Sequence, residues 1–122
     1  MRFIGLLKAD KSSERGEPPS PELLARMGPF LEEVSKAGVL KATDGLYPST
    51  HATRVRMVDG RPHVTDGPFA ETKELVASYA LFEVQSKEDA VYWTKRFLEA
   101  LGEGECMIYQ VFEQADFNQR CG

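Results

Sequence analysis

Leu75–Val84, LVASYALFEV, is the longest apolar run in the chain and the feature that most limits its fold. Read as a strand, it sends successive side chains to opposite faces. Leu75, Ala77, Tyr79 and Leu81 fall on one face; Val76, Ser78, Ala80, Phe82 and Val84 fall on the other. Both faces are largely apolar. The run near the C-terminus agrees, with Cys106, Ile108 and Phe112 alternating with Met107, Tyr109 and Val111. So does the first run, where Phe3 and Gly5 alternate with Ile4 and Leu6. An antiparallel sheet that turns one face to water carries polar residues there. These strands do not, so both faces of their sheet need cover.

The rest of the chain supplies cover for one face. Ser20-Pro21-Glu22 is a helix start: an N-cap, a proline at the first helical position and an acid in the first turn. Leu23, Met27, Phe30, Leu31 and Val34 follow at helical spacing, and Gly38 closes the element. Pro29 lies inside it and should kink it or remove one backbone bond. A second helix starts at Ser86, carries the stripe Ala90, Trp93, Thr94, Phe97, Leu98 and Leu101, and stops at Gly102. Asp59-Gly60 between two β-prone runs, Thr53–Val58 and Arg61–Thr65, predicts a hairpin. Val39–Tyr47 reads as a strand interrupted at Asp44-Gly45, and Glu105–Glu113 as the last strand. Asp10–Pro19 and Pro48–His51 read as loops, and the polar tail from Gln114 is expected to fray.

The resulting order is strand, helix, strand, hairpin, strand, helix, strand. With the hairpin set aside, it is the β-α-β-β-α-β order of an α+β, ferredoxin-like fold in one domain spanning residues 1–122. Two helices cover one face of such a sheet. The second face is covered either by loops such as Asp10–Pro19 or by the same face of another copy. A homodimer is the expectation, since most soluble oligomers are symmetric homo-oligomers. Two sheets face to face then form a dimeric α+β barrel.

Asp66–Glu74, DGPFAETKE, is a turn followed by a short polar segment. Asp bonds to backbone two residues on, Gly tolerates positive φ and Pro fixes the exit. Phe69 is expected to anchor the loop by burial, and Ala70–Glu74 suits a single helical turn. The motif resembles the signature of the DGPF branch of the YCII-related family. Lys36–Leu40, Gly45–Ser49, Val64-Thr65, Glu103–Glu105 and Gln110–Glu113 resemble it too, so the likeness covers nearly the whole chain. The resemblance implies a dimeric α+β barrel and a cytoplasmic bacterial protein, from genes that often lie beside those of extracytoplasmic-function sigma factors. It implies no established activity. Relatives in the broader family are suspected of using a histidine on the first helix with an aspartate, whereas Pro21–Ala37 here contains no histidine.

Any proton transfer must therefore use other groups. Asp66 is the candidate base or orienter, with His51 reaching over from the preceding loop. Glu71 and Lys73 sit on the motif. Arg54 and Arg56 share one face of a hairpin strand, and Arg56 joins Lys73 as a possible anion clamp. Tyr79 and Tyr109 lie on central strands, where a polar tip on an apolar body suits a ligand in the dimer cavity. His63 beside Pro62 reads as a surface residue. For each the plain alternative is structural: a satisfied turn, a solvated face, core packing. The chain is then a small-molecule-binding protein or a metal-independent acid–base enzyme, or else a noncatalytic accessory module linked to sigma-factor signalling.

Several classes are excluded. A net charge of −4 and a pI near 5.2, with no block of basic residues, argue against nucleic-acid binding. Cys106 and Cys121 match no metal-ligand or redox spacing, and two lone histidines define no metal site, so no cofactor is expected. The apolar stretch before Lys8 is too short for a leader or a membrane span.

Overall fold

The computed structural model describes residues 1–71 and 74–121. In chain order they form β1 (Arg2–Lys8), α1 (Lys11–Glu14), α2 (Pro21–Ala37), β2 (Leu40–Gly45), a 3-10 turn (Ser49–His51), β3 (Thr53–Val58), β4 (Arg61–Asp66), β5 (Val76–Glu83), α3 (Lys87–Leu101), β6 (Cys106–Gln110) and α4 (Gln114–Cys121). The architecture is mixed α+β. Four strands form an open antiparallel sheet in the order β2-β5-β1-β6, and β3-β4 form a separate hairpin. The described residues of one chain do not close into a barrel.

The two long helices begin and end where their capping residues demand. Ser20 Oγ accepts from Leu23 N (3.1 Å) and Ser86 Oγ from Asp89 N (3.2 Å). Gly38 and Gly102 stop them in the left-handed conformation. Pro29 does not divide α2, which runs unbroken through it. The helices are clamped by Arg96, whose Nη1 and Nη2 donate to the two carboxylate oxygens of Glu33 at 2.7 and 2.5 Å. This pairing holds Glu33 below the usual carboxylate range. Between helices and sheet lies the core of Phe3, Phe30, Val34, Phe82, Val84 and Ala90.

Three expectations need correction. Asp10–Pro19 is not all loop: Asp10 caps α1 through a reciprocal box, accepting from Ser13 N (2.7 Å) while its own N–H donates to Ser13 Oγ (2.8 Å). The tail from Gln114 is helical, and Phe117 packs on Phe112 with ring centroids 5.1 Å apart. Asp44-Gly45 ends β2 instead of interrupting it.

Strand register defines the face away from the helices. Phe3 and Phe82, paired across β1 and β5, are buried in the core. The intervening positions line up in two rows on the opposite face. One is Ala42, Leu81, Ile4 and Tyr109; the other is Asp44, Tyr79, Leu6 and Met107. Apart from Asp44 and the tyrosine hydroxyls, both rows are apolar. At the β6 end they stand open, with Tyr109 51% exposed. The Asp10–Pro19 segment is engaged elsewhere: its Glu14 is bound to Ser49 and its Gly16 lies beside Pro48.

Candidate functional site

The DGPF segment leaves β4 at Asp66 and is tied to the 3-10 turn at several points. Asp66 Oδ1 accepts from Thr53 Oγ1 (2.9 Å), across the last pair of the hairpin. Gly67 N donates to Ala52 O (2.8 Å). A side chain at Gly67 has no room, since its Cβ would lie 1.8 Å from Ser49 O. The Gly67–Pro68 peptide is cis. Phe69 N donates to Ser49 Oγ (3.1 Å).

Ser49 is the node of this junction. It is 4% exposed. Its hydroxyl donates to the Glu14 carboxylate, and its N–H donates to Glu14 Oε1 (2.9 Å). One buried serine thus joins α1, the 3-10 turn and the DGPF loop. Both its hydrogen-bonding capacities are used, as a buried hydroxyl requires. Phe69 is half-buried, less than its expected anchor role implied, and the Arg54 guanidinium lies 4.3 Å from its ring centroid. The loop is therefore held by main-chain hydrogen bonds and a cation–π contact more than by a buried ring.

His51 is exposed, with Nδ1 3.2 Å from Thr50 Oγ1 and its ring stacked on Tyr47 at 4.7 Å. Among the described residues no direct hydrogen bond links it to Asp66, whose Oδ1 accepts from Thr53 Oγ1. Glu71 is exposed, and its carbonyl accepts from Glu74 N (3.0 Å). Lys73 lies outside the described residues. Arg56 is exposed on β3 opposite His63.

Tyr79 and Tyr109 do share the open sheet face. Tyr79 Oη donates to Asp44 Oδ2 (2.5 Å). This bond, helped by burial and the carboxylate charge, raises the tyrosine above the usual phenol range. Beside Leu6, Met107 and Tyr109 the face dips into a depression of about 270 Å³. Lys8 stands at its rim, paired with Glu105 (2.7 Å). Sequence reasoning missed Asp44, Ser49 and Glu14. Glu14 and Ser49 are 35 residues apart, as are Asp44 and Tyr79, and no local spacing signals either contact. Among the described residues no three His, Cys, Asp or Glu side chains converge as a metal site, and no helix is long and apolar enough to cross a membrane.

Residues 1–114 match the YCII-related domain. The chain belongs to the YCII-related family. A protein of Rhizobium meliloti (strain 1021), described as uncharacterized, is 35% identical over 80 residues, or 66% of this chain and 61% of the relative's length. The matched stretch thus spans under two thirds of that relative. In this YCII-related chain α2 has no histidine, and two polar pairs far apart in sequence, Glu14 with Ser49 and Asp44 with Tyr79, meet at the DGPF junction and on the open face.

Proposed function

We propose that this chain is a homodimeric small-molecule-binding protein of the DGPF branch, with ferredoxin-like subunits that close their open faces into an α+β barrel. The observation that carries this reading is the two-row apolar face with a single oriented polar pair, Tyr79–Asp44, in one row. A mostly apolar surface with few placed polar groups is the usual composition of a ligand site. Asp44 keeps its second oxygen for a ligand donor, and Tyr109 supplies a ring and hydroxyl one strand beyond β1. Binding is favoured over acid–base catalysis because no direct hydrogen bond joins His51 to Asp66 among the described residues. Protein-observed NMR with a fragment library tests the site. Hits should shift Leu6, Tyr79, Met107 and Tyr109, and Asp44→Asn should weaken donor-bearing hits. Shifts confined to other surfaces would remove the proposal.

One observation favours a second reading, an accessory module linked to sigma-factor signalling. The hairpin exposes a strip of Val55, Met57, Pro62 and Val64, with Met57 72% exposed. Exposed apolar strips of this kind mark interaction surfaces. Met57→Ser should then abolish binding to a purified extracytoplasmic-function sigma factor while leaving fragment binding intact. Binding that survives the substitution would count against it.

A further inference from the structure

The helix-facing side of the sheet holds a second feature, independent of the open face. In register across three strands, Thr43 on β2 faces Ala80 on β5, which faces Gly5 on β1. One step along, Gly45 faces Ser78. Closely packed cores set large residues against small ones across a layer. Here small residues adjoin small residues, so the floor beneath α2 is low. Phe30 and Phe97 roof it without filling it. A cavity of about 80 Å³ is left between helices and sheet. Leu31 and Thr43, both exposed, mark its mouth at the β2 edge.

The lining is chemically selective. Thr94 Oγ1 donates to Ala90 O (2.8 Å) and Thr43 Oγ1 to Tyr79 O (2.8 Å), so these hydroxyls are satisfied internally. Ser78 is the lining residue whose hydroxyl takes up no other group among the described residues. An apolar cavity of roughly 150 Å³ stays dry and accepts benzene. This one is about half that size, which suits a narrow aliphatic stem and not a ring. We infer that the cavity is a binding site for a short unbranched aliphatic alcohol, its alkyl stem over Gly5 and Ala80 and its hydroxyl bonded to Ser78.

The test uses the full chain with two probes, 1-butanol and pressurised xenon, followed by methyl and aromatic NMR shifts. Both should give saturable shifts at Leu7, Val34 and Phe97. Ala80→Leu should fill the space and weaken both probes at least tenfold. Gly5→Ala serves if that variant does not fold, because its added Cβ meets Phe82 at an ordinary 3.6 Å. Ser78→Ala should weaken 1-butanol about fivefold, the value of one hydrogen bond of about 1 kcal/mol, and leave xenon unchanged. Non-saturating shifts, or filling variants that bind like the parent, would overturn the site. Equal 1-butanol affinity in Ser78→Ala would overturn the alcohol assignment.

Discussion

Removing one hydroxyl at Ser49 should loosen three segments at once. Ser49→Ala deletes the bond to the Glu14 carboxylate and leaves Phe69 N–H without its acceptor. A hydrogen bond to a charged group contributes about 1.5–3 kcal/mol. The low end applies, because Glu14 is half-buried and keeps the Ser49 N–H. The partly buried Phe69 N–H adds about 1 kcal/mol when its partner is lost. The expected destabilisation is therefore about 2–3 kcal/mol. Urea unfolding is the assay, and an unchanged m-value would place the effect on stability alone. Thr50→Ala, one residue on and exposed, should stay within about 0.5 kcal/mol as a surface control. Glu14→Ala and Ser49→Ala should combine non-additively, with a coupling of at least about 0.5 kcal/mol. If Ser49→Ala costs no more than the Thr50 control, the junction does not hold the DGPF loop and the reasoning fails.

Other outcomes follow from the same geometry. Gly67→Ala should destabilise by about 3 kcal/mol or more, since its Cβ would collide with Ser49 O and the backbone must shift; a neutral effect in urea unfolding would contradict the tight crossing. Phe69→Ala should cost about 2 kcal/mol, below the roughly 3–5 of a fully buried aromatic; a loss of 4 or more would restore the buried-anchor expectation. Burial first, and the Glu105 charge second, push the Cys106 thiol up to about 11 from an ordinary 9.0. The folded state then holds a proton that the unfolded chain releases, so this stability is full below pH 9 and is lost as pH rises toward 11. Tyr79 acts with the same sign, so the slope is best compared in a Tyr79→Phe background. There Cys106→Ala should flatten the fall in urea midpoint, and an identical slope would show the thiol to be uninvolved.

What the sequence disclosed depended on how local each signal was. The helix from Ser86 to Gly102 was legible because cap, apolar period and left-handed stop all lie within it. The hairpin was legible because Asp59 and Gly60 both adopt positive φ, 51° and 77°, as a tight hairpin turn demands. α1 was not, because four residues held by a capping box carry no apolar period. α4 was not, because its anchor is the tertiary contact of Phe117 with Phe112. The two faces of β5 were read correctly as apolar, yet Asp44 was invisible as the partner of Tyr79. Its position depends on how β2 registers against β5 after the irregularity between Leu40 and Ala42. Asp66 and His51 were singled out as titratable groups near the motif; Asp66 Oδ1 accepts from Thr53, and the His51 ring stacks on Tyr47, contacts that no local pattern signals.

The proposed dimer is tested most directly by the mass of the purified protein in solution, measured by light scattering across micromolar concentrations. The open face predicts twice the chain mass of 13.6 kDa, with Tyr79→Glu shifting the population toward the single chain because it leaves a charge unpaired in a dry interface. A stable mass of one chain for the parent protein would contradict the account, since the apolar rows of Ile4, Leu81, Leu6 and Met107 would then face water without a partner.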